Sequence, residues 1–314
     1  MRLNKVTVIV LQTILFLMGI LLFSCADKPT DIINPEPKKI REETFTIAIL
    51  PEQNVFEQKK RYRPLAGYLS DALDVNVKIK LLDSYGAIYD EIRSKAIDGA
   101  FFGSFNYVLT QARADLEPIA RPVDINGNSS YRGIIFTRKD TKLTDNVETW
   151  KRKKIALVHE VTTGGYIFPR WYLKKHGINN FEQHFSKIIF AGSHDAAILS
   201  VFKGQTAIGA AKDLIFEKLL SENPAVKNEM VVLARSIPVP TNSLCVRGDL
   251  PGDFRETLKR ILLSMHSTPE GKNALKALNA VKFRETLDSE FEELRKMAND
   301  LDIDIRTSPF RYRR

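Results

Sequence analysis

The sequence predicts an α/β protein of two lobes, each a mixed sheet flanked by helices, with a two-strand hinge between them. Three observations carry that expectation. Segments with the period of a strand alternate with segments with the period of a helix from Thr44 onward. The alternation divides into two successive units. Extended segments near Arg138 and again near Pro238 take the chain from one unit to the other and back. The 314 residues leave room for one large domain or two of ordinary size. A hydrophobic content of 44% with 27% charged residues is ordinary for a globular protein with a sizeable core.

Each element has its own signal. Phe45, Ile47 and Ile49 alternate as a strand does, and Pro51 stops them. Residues 64–73 read as a helix with Leu65, Ala66, Leu69 and Leu73 on one face and Pro64 in its first turn. Val75, Val77, Ile79 and Leu81 make a second alternating strand, 85–96 a helix, and 97–102 a short apolar strand closed by Gly103. Ser104 is expected to cap a helix reaching about Ala114. Strands at 117–123 and 131–138 complete this unit, the second lying where the chain leaves it.

The second unit repeats the pattern, with strands at 154–158, 187–190, 206–210 and 230–234. Its helices are expected at 167–175, closed by His176-Gly177, at 196–202, and from Asp213 to about Leu220. A strand at 242–247 and C-terminal helices at 252–265, 269–278 and 285–300 follow. The lobes are therefore expected at 44–138 and 139–237, with 238–304 returning to the first lobe and 305–314 a basic tail. Ligands of open α/β sheets bind beyond the carboxyl ends of the strands. With two lobes, that places the site in the cleft between them.

The first residues are of another kind. Arg2 and Lys5 precede an apolar run over 8–23 that is short for a membrane span, which needs roughly 20 residues. A basic start and a short apolar stretch mark an export signal. The stretch ends in Leu22-Phe23-Ser24-Cys25, which resembles the bacterial lipobox, where the signal is cut before a cysteine that then carries lipid. Residues 1–24 are thus expected to be a lipoprotein signal peptide and 25–43 a lipidated Cys25 with a tether, rich in Pro29, Pro35 and Pro37. With Cys25 lipidated, Cys245 has no disulfide partner and reads as a buried, inert thiol.

Formal net charge is +9, two units less without Arg2 and Lys5. The basic clusters Lys151-Arg152-Lys153-Lys154 and Arg311-Tyr312-Arg313-Arg314 read as a solvated turn and a solvated tail, and no nucleic-acid partner is expected of an exported chain. The chemistry of the turns is more informative. Hydroxyls recur at helix starts: Ser84 before Tyr85, Ser104 after Gly103, Thr162-Thr163 before Gly164-Gly165, and Ser193 before His194. A helix start offers free N–H groups and the positive end of a dipole, so an anion is readily held there. Hydroxyls add donors. Each turn alone is an ordinary cap; four in register on two units point to a small oxyanion site. His194, in such a turn, can donate from its ring.

Other chemistries lack their motifs. Val161-Thr162-Thr163-Gly164-Gly165-Tyr166 has neither the spacing of a P-loop nor its following Lys-Ser/Thr. There is no G-x-S-x-G elbow, no H-E-x-x-H, and no tight metal spacing among the five histidines. Neither a catalytic residue, a metal nor a cofactor is expected.

Six segments together are similar to the phosphate/phosphite/phosphonate-binding proteins of ABC importers, a branch of the type II periplasmic binding proteins. They are ILPEQN (49–54), RPLAGYLSDAL (63–73), SYGAIYDEI (84–92), DGAFFGSFNYV (98–108), VTTGGYIFP (161–169) and AGSHDAAI (191–198). The resemblance implies two lobes that close on a small phosphorus oxyanion and deliver it to a membrane permease, as a monomer held to the membrane through its lipid. It places the first-lobe aromatic of the site on Tyr85, the hydroxyl-rich phosphoryl loop on Thr162, Thr163 and Gly164, and the anion-binding histidine on His194. Phe102 falls where the family has an aromatic before a glycine turn, followed by Ser104. The carboxylates that hold an ammonium group in members taking aminophosphonates align with the Lys212-Asp213 neighbourhood and with Asn242. Asn242 is neutral, and Lys212 would reverse the charge if it pointed inward, which favours phosphate, phosphite or a simple phosphonate. A sensor reporting the ligand to a signalling partner is the alternative on the same fold. A cleft lined by Tyr85, Phe101, Phe102, Tyr107 and Tyr166 for a heterocycle is a further one.

Overall fold

The computed structural model describes residues 43–307. The expected signal segment, Cys25, the tether up to 42, and 308–314 lie outside the described residues. The chain runs through β1 (Thr44–Ile49), α1 (Val55–Leu73), β2 (Asn76–Leu81), α2 (Ala87–Arg93), β3 (Gly99–Phe102), α3 (Ser104–Gln111), β4 (Leu116–Asp124), β5 (Ser130–Tyr131) and β6 (Gly133–Arg138). Next come β7 (Lys154–Leu157), a π-type turn over Thr163–Ile167 opening into α4 (Phe168–Lys175), α5 (Phe181–His184), β8 (Lys187–Phe190), α6 (His194–Phe202), β9 (Ile208–Lys212), α7 (Asp213–Glu222), α8 (Pro224–Glu229) and β10 (Met230–Arg235). The last part holds β11 (Val239–Pro240), β12 (Ser243–Arg247), α9 (Gly252–Ser264), α10 (Pro269–Ala277), β13 (Ala280–Glu285) and α11 (Glu292–Asp300).

Two mixed sheets organise these elements. The first has the order β13-β4-β12-β3-β1-β2, and the second β10-β6-β9-β7-β8. In each, the strands joined through helices pair parallel: β1 with β2 and β3, β7 with β8 and β9. Their carboxyl ends are where loop residues can converge on a ligand. Returning strands add to each sheet antiparallel, β12 and β4 in the first, β6 and β10 in the second. Ile47, Leu65, Leu69, Phe101, Leu244 and Leu262 form the core between the first sheet and helices α1 and α9. Each such side chain contributes roughly 1.5–3 kcal/mol by its burial.

The passages between the sheets are β5 and β11. They pair antiparallel, Val239 opposite Tyr131 and Pro240 opposite Ser130, as a separate two-stranded ladder. The two-strand hinge is therefore present, but its first strand lies at Ser130–Tyr131 rather than near Arg138. Residues 133–138, expected to close the first lobe, form β6 and pair with β9 and β10 of the second sheet. The apolar run Ile134-Ile135-Phe136 shows why: it is buried on both faces, as a central strand must be.

Three other expectations change. Helix α1 begins nine residues before Pro64, at Val55, because the Asn54 side chain accepts from the N–H groups of Phe56 and Glu57. Pro64 lies inside it on the exposed side, where water can satisfy the carbonyl it leaves unpaired. The helix expected over 85–96 is α2, which starts at Ala87 and leaves Tyr85 in the preceding turn. The helix expected over 285–300 is shorter, and β13 precedes it as an edge strand on β4. A register shift between Ala280 and Lys282 breaks its alternation, which hid it from a period-two reading.

Candidate functional site

Side chains from the ends of β1, β9 and the start of β12 meet between the sheets. Lys212, the last residue of β9, places Nζ 2.9 Å from Glu52 Oε1 and 2.9 Å from Asn242 Oδ1. The same nitrogen stands 4.4 Å from the centre of the Tyr131 ring, which comes from the hinge. Lys212 and Glu52 side chains are 4% and 13% exposed. Burial pushes the Glu52 carboxyl up, but the Lys212 ammonium and hydrogen bonds from Lys212 and Asn242 hold it below its ordinary value. Glu52 follows the first sheet's β1 and Lys212 ends the second sheet's β9, so the ion pair joins the two sheets.

His194 is tied into the same knot. It is the first residue of α6, capped by Ser193, whose Oγ accepts from Ala196 N–H. Its backbone N–H donates to the Glu52 carbonyl at 3.2 Å. Its ring Nδ1 accepts from Lys212 N–H at 3.1 Å. A ring whose Nδ1 accepts is neutral and carries its proton on Nε2. Burial, joined by the Lys212 charge, pushes its pKa down to about 4 against an opposing Glu52. His159 repeats the device: Nδ1 accepts from Val161 N–H at 3.3 Å, and burial lowers its pKa to about 4.

Between the two imidazoles lies Tyr85. Its ring centre is 5.9 Å from that of His159 and 6.2 Å from that of His194, the latter edge-on at 89°. The Tyr85 hydroxyl is buried and, among the described residues, has no hydrogen-bond partner. An orphaned buried hydroxyl costs about 1–3 kcal/mol unless a partner arrives. Burial, with Glu52 next, raises its phenol well above the ordinary range, so it remains a donor at any physiological pH.

The Thr-Thr-Gly-Gly turn forms the wall on the second sheet's side. Ile167 N–H reaches back to the Thr162 carbonyl at 3.1 Å, giving the wide π-type turn that opens α4. Its leading N–H groups have no acceptor within the helix. Thr163 Oγ accepts from Phe105 N–H at 3.0 Å, across to the first sheet's α3. The Tyr131 hydroxyl is hydrogen bonded to those of Thr163 and Ser104. Thr162 turns away, its Oγ donating to the His159 carbonyl at 2.7 Å. Gly164 is needed for packing: a Cβ there would stand 2.8 Å from the Ala211 carbonyl and 3.0 Å from Gly133 Cα.

The remaining expected residues divide. Asn242 joins the Lys212 knot. Ser104 does not cap α3; Gly103 holds that position, and the Ser104 hydroxyl donates to the Pro240 carbonyl of the hinge. Phe102 is fully buried beside Tyr107 and brings no polar atom. Asp213 opens α7, its carboxylate accepting from Leu214 N–H at 2.8 Å, so Lys212 rather than Asp213 reaches the other residues. Glu52, Tyr131 and His159 went unsingled in the sequence. Glu52 carried a signal, a charged residue three positions past a buried parallel strand; His159 and Tyr131 carried none. Among the described residues no group of three or more His, Cys, Asp or Glu is placed to hold a metal ion. No described helix is long and apolar enough to cross a membrane.

Two mixed sheets, a two-stranded hinge and a buried, donor-rich junction at the strand ends define a cleft-type binding protein. The family model for the periplasmic substrate-binding protein of phosphonate ABC transporters matches residues 47–291, and the chain belongs to that family. Among curated relatives, the Phosphate-import protein PhnD of Mycolicibacterium smegmatis is 27% identical over 192 residues, 59% of this chain and 60% of that protein. The match thus spans less than two thirds of that relative's length. The probable ABC transporter phosphite binding protein PhnD1 of Prochlorococcus marinus is 24% identical over 90% of this chain and 95% of its own. The solved structure of Prochlorococcus marinus PhnD1 in complex with methylphosphonate superposes with a TM-score of 0.74 at 23% identity, covering 83% of this chain and 98% of that one. A binding-protein component of an ABC phosphonate transporter from Pseudomonas aeruginosa gives 0.75 at 21% identity, covering 83% and 87%. These two likenesses establish the shared fold.

Proposed function

We propose that the chain is an extracytoplasmic solute-binding lipoprotein that captures a small phosphorus oxyanion, phosphate, phosphite or a phosphonate, between its lobes and delivers it to an ABC permease. The observation that carries this is the orphaned, buried Tyr85 hydroxyl beside two imidazoles fixed as neutral Nε2–H donors. Donors without free acceptors suit an ionised oxyanion, and each buried hydrogen bond to a charged acceptor is worth about 1.5–3 kcal/mol. Thr163 and the N–H groups of its turn complete the cradle. Binding favours closure because the donors of the two lobes meet the ligand together only when the cleft is shut.

The reading is of capture without chemistry. Among the described residues no site hydroxyl donates to an imidazole nitrogen, since both Nδ1 atoms take backbone N–H groups. Export and lipidation at Cys25 follow from the N-terminal segment, with 25–43 as tether, and the protein acts as a monomer on the membrane. The names of the relatives support the ligand class.

Titration calorimetry with phosphate, phosphite, methylphosphonate and 2-aminoethylphosphonate tests the reading. Binding of at least one, weakened tenfold or more by Thr163→Val and by His194→Ala, is expected. Binding of none overturns the ligand class, and unchanged affinity in both variants overturns the site.

A further inference from the structure

A buried carboxylate is out of place beside an anion. Glu52 has one, held ionised at the meeting point of the two sheets, and unpaired it would repel an oxyanion at short range in a poorly hydrated cleft. The protein neutralises it from within. Lys212 Nζ takes the Glu52 carboxylate and the Asn242 amide oxygen, and its remaining side faces the Tyr131 ring. The other carboxylates nearby are engaged as well: Asp195 accepts from the Ser193 hydroxyl, and Asp213 from Leu214 N–H. We propose that Lys212 is the specificity-determining residue of the cleft, an internal ammonium that occupies the acceptors a cationic ligand group needs, so that the site takes phosphorus oxyanions bearing no amine.

The inference rests on the oxyanion reading above and deepens it. A ligand amine entering the closed cleft would meet a carboxylate already paired and a second ammonium beside it, and could displace Lys212 only by leaving that ammonium buried without its counter-charge. Because the pair bridges β1 and β9, the same contact is made as the lobes close, and selection is applied at that step.

Methylphosphonate and 2-aminoethylphosphonate share a head group and differ in the amine, so their ratio of affinities reads Lys212 directly. In titration calorimetry the native protein binds methylphosphonate at least tenfold more tightly. Lys212→Ala frees Glu52 and shifts the ratio at least tenfold toward 2-aminoethylphosphonate. Adding Glu52→Gln to Lys212→Ala removes the freed charge and abolishes that gain. Equal binding of the two by the native protein overturns the inference, as does a folded Lys212→Ala that keeps the native ratio. If Lys212→Ala fails to fold, the native ratio alone decides. Binding of neither, nor of phosphate or phosphite, overturns the oxyanion reading itself, an outcome distinct from equal binding.

Discussion

Two ion pairs in this protein, each with a buried cation, use the same chemistry to different ends. Arg121 on β4 meets Glu290 in bidentate fashion, at 2.7 and 2.5 Å, and also donates to the Ser129 carbonyl and the Thr286 hydroxyl. Arg121 and its three partners all belong to the first sheet and the segments attached to it. Lys212 and Glu52 come from different sheets. The first pair lies within one lobe; the second spans two, so on the reading proposed above it is made only as the cleft closes. Burial of charge is thus no marker of function by itself, and what separates the pairs is whether the partners belong to one rigid element or two.

Breaking the permanent pair gives the largest expected effect. Arg121→Ala takes the guanidinium from Glu290, which among the described residues keeps only the more exposed Arg284 as a cation, and from two further acceptors, and loss of such a partner costs about 3 kcal/mol. Urea unfolding should show that loss while the folded fraction keeps its oxyanion affinity. A loss below about 1 kcal/mol would mean that water reaches Glu290 freely and that the pair is no staple.

Tyr85→Phe probes the other side with opposite signs in its two readouts. It removes a hydroxyl that has no partner in the protein, so ligand-free stability should hold or rise by up to about 1 kcal/mol. Oxyanion binding should weaken by about 1.5–3 kcal/mol, roughly ten- to a hundredfold. A fall in ligand-free stability with intact affinity would return Tyr85 to the core.

Lys212→Met tests the closing pair as Arg121→Ala tests the permanent one. Its cost is capped, because the lobes can part and let water reach Glu52. A destabilisation of about 1–2 kcal/mol is expected, below that of Arg121→Ala. Small-angle scattering of the ligand-free variant should show a larger radius of gyration than that of the native protein. A cost equal to that of Arg121→Ala with no expansion would show that the cleft does not open there.

The same contrast explains what was legible in the sequence. Parallel strands such as Lys187–Phe190, and the Ser193 cap of α6, are local matters of period and side-chain reach, and the sequence displays them. The two-lobe plan followed from the order of elements. Pro64 misled because proline is tolerated within a helix only where its unpaired carbonyl faces water, and facing is a tertiary property. The cleft was half legible. Thr163 and His194 sit in turns whose chemistry is local. Glu52 and Lys212 are 160 positions apart, and no spacing rule joins them. Ser104 looked like a cap and is instead bonded to the hinge, because Gly103 already supplies the extended residue that precedes α3.

The smallest expected effect is one of pH, and it belongs to the cleft side alone. His194 and His159 have pKa values near 4 in the folded chain against 6.5 for a free ring. The unfolded chain therefore takes up protons first. Stability is full above about pH 6.5 and falls as pH drops toward 4, by about 1 kcal/mol per ring between pH 6.5 and 5.5. Glu290 works in a lower window. Its hydrogen bond to Arg121, opposed by burial, lowers its pKa, so its contribution is complete above the ordinary carboxylate value of 4.5 and is lost only below it. Urea midpoints at pH 6.5 and 5.5 should accordingly differ less in His194→Ala than in the native protein, by about one ring's share, and should differ equally in Glu290→Gln and the native protein. If His194→Ala keeps the native difference, the ring is not held neutral by Lys212 N–H, and the donor assigned to its Nε2 is lost with it.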